Sequence, residues 1–251
     1  MNGAPPELSV VLPAYEEAES LDQLLPVLKR VLEGLRVTHE IVVIDAQTPL
    51  DNTIAICSRH GARCCPRVGG KLYGHAIRTA QEVARGNYII LMDADGSHNP
   101  EFVAQLWEHR DDANLIIASR YVRGGQTENP AILIFLSLVV NVIFRTVLGL
   151  KCADVSNSFR LYRGDELRAL KLECDNFDVV EEILVKLAFS RSGYTVKEIA
   201  SVFEMRKAGI TKRRLLAFAF GYLSTLAKLY RLRRTLARSN VAGKDVAPEG
   251  A

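Results

Sequence analysis

Two kinds of apolar pattern alternate along the first half of the chain. "LSVVLP" (8–13), "EIVVID" (40–45), "NYIILMD" (87–93) and "ANLIIAS" (113–119) are short, nearly continuous apolar runs, the pattern of strands buried on both faces. Between them, apolar residues from Leu21 to Leu35 recur at helical spacing despite Pro26. "NTIAICSRHG" predicts a short helix ended by Gly61, "ARCCPR" a weak strand, and "YGHAIRTAQEVARG" a helix closed by Gly86. Buried strands alternating with amphipathic helices predict an α/β fold, a Rossmann-like, mostly parallel sheet with helices on both faces.

The pattern changes at Pro130. "AILIFLSLVVNVIF" has only Ser137 and Asn141 as polar breaks; it falls short of the roughly 20 residues of a bilayer span, and an interfacial or buried helix is predicted over 130–150. "SFRLYR" predicts another strand, "VVEEILVKLAFSRSG" a helix stopped by Gly193, and "TVKEIASVFEMR" an extended stretch. A last helix, 211–238, starts apolar and ends basic, as a helix lying in a headgroup plane would with its arginines on anionic lipid. A core helix with a solvated basic end remains the alternative. These elements give one domain over 8–210, the helix 211–238, and flexible tails at 1–7 and 239–251, both rich in Gly, Pro and Ala.

Charge sharpens the division. The formal net charge is +3, yet ten Lys or Arg and no Asp or Glu lie between Met205 and Ala242. The rest of the chain is therefore net negative, and a basic end on an acidic body suggests a polyanionic surface or ligand. No aromatic stacking platform accompanies the arginines, so lipid is favoured over nucleic acid. Cys57, Cys64, Cys65, Cys152 and Cys174 make no zinc-binding spacing and are expected as reduced thiols. The start lacks a basic segment followed by an apolar one, which predicts a cytoplasmic protein.

Ligands of such sheets sit beyond the carboxyl ends of the strands. Those ends read "PAYEE", "DAQTPLDNT", "DADGSH" and "SRYVRGG": acid, acid, acid, then base. Asp93 and Asp95, two residues apart, can turn their carboxylates to one side, towards a hard cation such as magnesium or manganese whose shell phosphate oxygens complete. A helix cap is the plainer reading of the same stretch, with Ser97 or Asn99 ahead of a helix at Pro100. His98 either approaches a phosphate or sits exposed, and Tyr73 and His75 are expected to pack or cap near the third helix. "VGGKLYG" lacks the Gly-Lys-[Ser/Thr] ending of a phosphate loop and reads as a turn.

"VVLPAYEEAESL", "VVID…DNT", "YGHAIRTAQEVARGNYIILMDADGSHNPEFV", "IIASRYVRGG", "DVSNSFRLYR", "FDVVEEILVKL" and "RKAGITK" occur in an order and spacing that resemble a family 2, GT-A type glycosyltransferase. The likeness is closest to the dolichyl-phosphate (polyprenyl-phosphate) mannose synthase branch and runs from Leu8 to about Leu229. The resemblance implies that Pro13, Tyr15 and Glu17 border the base and ribose of a nucleotide-sugar, that Asp45 contacts base or ribose, and that Asp93 reaches ribose and metal. Asp95 and Ser97 would complete a Mg2+ or Mn2+ site on the donor diphosphate. Arg120 would stabilise phosphate on donor or acceptor, and Arg206, Thr211 and Lys212 would close over the diphosphate and the acceptor phosphate. Asp154 and Glu182, or its neighbour Glu181, would sit on the acceptor side.

The implied activity is metal-dependent, inverting transfer of a sugar to a polyprenyl phosphate by a protein held peripherally at the cytoplasmic face of an anionic membrane. The same donor chemistry with a hydroxyl acceptor, or a membrane-associated protein with a degenerate site, are the alternatives. The second is motivated by two departures from the family pattern, Ala46 after Asp45 in place of a second aspartate and "SNSF" in place of Thr-Ser-Gly-Phe; Glu16 in place of asparagine is a further departure.

Overall fold

A computed structural model describes residues 4–204 and 215–242. In chain order its elements are β1 (Leu8–Pro13), α1 (Ala18–Leu35), β2 (His39–Asp45), α2 (Thr53–His60), β3 (Arg63–Pro66), α3 (Tyr73–Val83), β4 (Tyr88–Leu91), α4 (Phe102–Glu108) and β5 (Leu115–Ser119). There follow β6 (Gln126–Thr127), α5 (Ala131–Leu148), β7 (Arg160–Arg163), α6 (Gly164–Arg168), α7 (Val179–Ala188), β8 (Val196–Ala200), β9 (Val202–Phe203) and α8 (Leu215–Ala242).

The main sheet runs β3-β2-β1-β4-β7-β5-β8. β1 to β4 are mutually parallel, as are β5 and β8, while β7 lies antiparallel between β4 and β5. β6 and β9 form a small parallel ribbon, and His98 bridges to Phe203. Alternation along the strands separates two cores. Val11, Val42, Ile44, Ile89 and Leu91 pack with Ala76, Ile77 and Ala80 of α3, with α7, and with Phe144 and Leu148 of α5. Leu8, Val10, Leu12, Val43 and Ile90 pack with α1 and α4. Residues one apart on a strand point to opposite faces, so one continuous apolar run supplies both layers.

Two local expectations change. Gly86 does not close α3, which ends at Val83; a Cβ at Gly86 would stand 2.5 Å from the Ser9 nitrogen, so it is glycine because the chain passes flush against β1. Pro6 and Glu7, assigned to a loose tail, are tied down: Asn87 N donates to Pro6 O, and Tyr88 N to Glu7 O. Pro26 lies inside α1 on its exposed side, where the lost backbone donor leaves a carbonyl for water.

α5 buries only Asn141, Phe144 and Leu148, and exposes Ile132, Phe135, Val142 and Ile143. With 18 residues and a mean hydropathy of 2.4, it is long and apolar enough to cross a membrane. It packs against α8, where Arg233 donates to Val147 O at 3.1 Å. Of the last predicted helix, 211–214 lie outside the described residues and the remainder falls within α8.

Candidate active site

The carboxyl ends of β1, β2 and β3 meet around one buried arginine. Arg67, placed by the end of β3, donates to the carbonyls of Ala14, Asp45 (3.3 Å) and Lys71 (2.8 Å). It thereby fixes three loop origins with one planar fork. Beside it Asp45 ends β2, is 2% exposed, and has no hydrogen-bond partner on either carboxylate oxygen. Burial pushes its pKa up and the charge of Asp51 adds to the rise, while the Ala46 amide and the Arg67 charge oppose it. A buried carboxylate with both oxygens unanswered is costly without a ligand to donate to it.

Pro13 ends β1, Tyr15 is exposed with its ring 5.6 Å from the Arg67 guanidinium, and Glu17 precedes α1 almost fully buried. Glu16 takes φ 58°, a left-handed conformation that asparagine tolerates better than glutamate. Asp51 accepts from Ala18 N and from Thr53 N, each at 2.9 Å, so one carboxylate joins the starts of α1 and α2. Burial raises its pKa, but these bonds and the Thr53 hydroxyl outweigh it and the net shift is downward.

The acid pair follows β4. Asp93 accepts from the Tyr73 hydroxyl at 3.1 Å on one oxygen and from the Ser158 hydroxyl at 3.0 Å on the other. Its pKa is raised, chiefly by burial; His98 opposes the rise and Asp95 adds to it. Asp95 Oδ1 accepts from the Ser97 amide at 3.0 Å and from the Ser97 hydroxyl at 2.5 Å, across a turn made by Gly96 at φ 80°. Ser97 is thus placed to orient Asp95. The helix-cap reading is not met: α4 begins at Phe102 with no side-chain cap, and Asn99 Oδ1 accepts from Glu101 N in the turn ahead of it.

His98 is 2% exposed, contrary to the exposed alternative. Its Nδ1 accepts from Asp93 N at 3.0 Å, its Nε2 faces Asn157 Oδ1 at 3.2 Å, and its ring stacks on Phe159. That pattern suits the tautomer protonated at Nε2. Tyr73 stacks on Phe177 at 4.0 Å, so it both packs, as expected, and reaches the acid pair.

On the far side, Arg120 after β5 makes a bidentate pair with Asp154. Nε donates to Oδ2 at 2.8 Å and Nη2 to Oδ1 at 2.7 Å, and the Arg120 amide adds 3.0 Å to Oδ2. Asp154 is fully buried. The guanidinium also reaches the Ser156 hydroxyl at 3.0 Å and lies 5.5 Å from the centre of the Phe203 ring. Glu198 supports the loop, accepting from Ser119 Oγ, Ala153 N and Asp154 N.

Glu182 points elsewhere. It accepts from the amides of Glu173 and Cys174 and pairs with Lys186 at 2.7 Å. Burial raises its pKa, yet Lys186 and those amides carry it below the ordinary value. Glu181, almost fully buried, leaves Oε2 without a partner, and burial lifts its pKa to about 8. Arg206, Thr211 and Lys212 lie outside the described residues. Sequence reasoning missed Arg67, Ser158 and Tyr73 as contacts; a basic residue directly after β3, at the edge where ligands gather, was the one signal available.

Three comparisons bear on this arrangement. Residues 9–170 match the model of "Glycosyl transferase family 2". A dolichol-phosphate mannosyltransferase of Pyrococcus furiosus is 29% identical over 214 residues, covering 82% of this chain and 59% of its own length. A polyprenol monophosphomannose synthase of Mycolicibacterium smegmatis is also 29% identical over 214 residues, with 81% of this chain and 79% of that protein covered. A solved structure of glucosyl-3-phosphoglycerate synthase from Mycobacterium tuberculosis, with Mn2+, uridine diphosphate and phosphoglyceric acid, superposes with a TM-score of 0.70 at 19% identity, over 90% of this chain and 78% of that one. The same enzyme with Mg2+ and uridine diphosphate gives 0.68 at 17% identity, over 89% and 79%. These likenesses extend to the α/β, mostly parallel, GT-A type fold.

Proposed function

The chain belongs to glycosyl transferase family 2, and on that premise we propose that it moves a sugar from a nucleotide diphosphate, GDP-mannose or a UDP-sugar, to a polyprenyl phosphate by metal-dependent inversion. The observation that carries this reading is the acid pair after β4, with Asp93 held by Tyr73 and Ser158 and Asp95 held by Ser97.

The donor set fits a hard divalent cation. Asp93 and Asp95 supply carboxylate oxygens, and burial together with the neighbouring Asp95 charge makes ionised Asp93 costly alone. Two carboxylates do not fill the shell of such a cation, and diphosphate oxygens would supply the rest. Bound Mg2+ or Mn2+ would neutralise charge on the departing diphosphate.

The chain's own residues do the positioning. Asp45 accepts from the nucleotide at the strand ends that Arg67 ties together, with Pro13, Tyr15 and Glu17 alongside. Arg120, aligned by Asp154, puts positive charge at the acceptor side, and Arg206, Thr211 and Lys212, outside the described residues, would supply further charge and a hydroxyl to the phosphates. An acceptor phosphate oxygen attacks the anomeric carbon opposite the diphosphate, forming one C–O bond as the other breaks and its electron pair leaves with the diphosphate. Such an acceptor is already anionic and needs no general base. That suits a site in which Asp154 is spent on Arg120, and Glu182 on Lys186 and two amides. The exposed apolar face of α5 and the exposed Arg231 and Arg234 of α8 support seating on an anionic, cytoplasmic membrane face.

The test is transfer from GDP- and UDP-sugars to a short polyprenyl phosphate with Mn2+ or Mg2+. An acid-labile glycosyl phosphate that disappears with chelator and in Asp95→Ala is expected. An acid-stable glycoside would instead favour a hydroxyl acceptor, and the absence of transfer to any acceptor would leave only a membrane-associated protein with a degenerate site.

A further inference from the structure

α5 is apolar along nearly its whole length, yet one of the three side chains it buries is an asparagine. Asn141 is 1% exposed, and its amide is fully engaged. Oδ1 accepts from Val155 N at 2.6 Å. Nδ2 donates to Ser137 O within the helix at 2.8 Å and to Ser156 Oγ at 3.2 Å. Ser156 Oγ in turn accepts from Arg120 Nη2 at 3.0 Å, and Arg120 is the residue held by Asp154. One unbroken line of hydrogen bonds thus runs from the middle of the exposed apolar helix to the buried ion pair of the site. An isolated polar residue on a buried helix face is costly unless fully paired, and it fixes register when it is.

We propose that Asn141, through Ser156, is a positioning residue that sets the Arg120 guanidinium according to how α5 is seated, so that docking of α5 on a lipid surface controls turnover at the site. The proposal rests on the function above, in which α5 lies on the membrane that holds the acceptor. Ser156 is the joint: its hydroxyl accepts from both sides, one bond to the helix and one to the guanidinium. Asn141 also clamps Val155, next to Asp154, so a displacement of α5 is felt by both members of the pair.

Ser156→Ala removes the joint and leaves Asn141 bonded to Val155 N and Ser137 O, so the fold is retained. With polyprenyl phosphate in anionic vesicles, Ser156→Ala is expected to lower kcat at least tenfold, while affinity for the nucleoside diphosphate with Mn2+ stays within twofold. Ser156→Thr, which keeps the hydroxyl, is expected to recover most of the rate. Asn141→Leu, which also frees Val155 N, is expected to lose at least as much as Ser156→Ala, and the double variant no more than Asn141→Leu alone, as members of one chain do. A wild-type kcat in Ser156→Ala, equal losses in nucleotide affinity and rate, or additive losses in the double variant would overturn the proposal.

A readout independent of turnover is amide hydrogen exchange at residues 153–158. Vesicles of phosphatidylcholine and phosphatidylglycerol without acceptor are expected to slow it in wild type and not in Ser156→Ala. Unchanged exchange in wild type bound to those vesicles, or wild type failing to bind them, sinks the coupling. Absence of sugar transfer alongside normal vesicle-dependent protection sinks the proposed function and leaves the coupling standing.

Discussion

The two sides of the site hold buried carboxylates of opposite character. On the β1–β3 side, Asp45 is buried with neither oxygen answered. On the β5–β7 side, Asp154 is buried just as deeply but meets the Arg120 fork and two backbone amides. Unmet hydrogen-bonding capacity at the strand ends is where a ligand could donate, and satisfied capacity is where the fold braces itself. Asp93 and Asp95 stand between these extremes, each already oriented by hydroxyls.

Removing a satisfied carboxylate gives the largest expected effect. Asp154→Ala takes the bidentate carboxylate from the Arg120 guanidinium, whose side chain is 10% exposed, and breaking such a pair costs about 3–5 kcal/mol; chemical denaturation is expected to show that loss, and a change within about 1 kcal/mol would mean that the pair braces nothing.

Glu181 breaks the pattern on its own side, since its Oε2 is unpartnered. Its pKa rises from the ordinary 4.5 to about 8 because burial disfavours the anion. The folded chain therefore holds this proton more tightly than the unfolded one. The resulting stability is whole below about pH 4.5 and is lost as pH rises through about 8. Glu181→Gln removes that loss, so unfolding midpoints followed from pH 4 to 9 are expected to fall less in the variant, with a gap on the order of a few kcal/mol at the alkaline end.

Asp45→Asn gives the smallest change in stability and the clearest contrast. It exchanges an unanswered buried charge for a neutral amide, so the free protein at pH 7 is expected to gain on the order of 1 kcal/mol. Nucleoside diphosphate binding, measured by calorimetry, is expected to weaken at least tenfold. A variant less stable than wild type, with undiminished binding, would make Asp45 another brace.

Where the acids stand was legible in the sequence, because a parallel α/β pattern puts strand ends on one edge and the acids fall at those ends. Asp45, Asp93 and Asp95 were found that way. Satisfaction was not legible. Nothing in "DVSNSF" shows Asp154 closing on Arg120, and nothing in "VVEEI" shows Glu182 turning to the 173–174 amides while Glu181 faces the core, since neighbours on a helix differ by about 100° in direction. "SFRLYR" reads as a strand, but its antiparallel direction depends on pairing with both β4 and β5, a tertiary choice beyond any local window. Ser158 was missed for the same reason: at the beginning of a reversed strand, it reaches the edge that the other strands meet with their ends.

That reversed strand also imposes an order of assembly. β1 to β4 pair among themselves, so the strand ends around Asp45 are built from the first third of the chain. Asp93 receives its serine only when β7 enters, with Tyr88 opposite Arg163 and Leu91 opposite Arg160. Closing so long a loop is entropically slow. On the proposed function, the residues that would meet the nucleotide leave the ribosome before the strand that completes the acid pair, so the donor side is the older half of each newly made site.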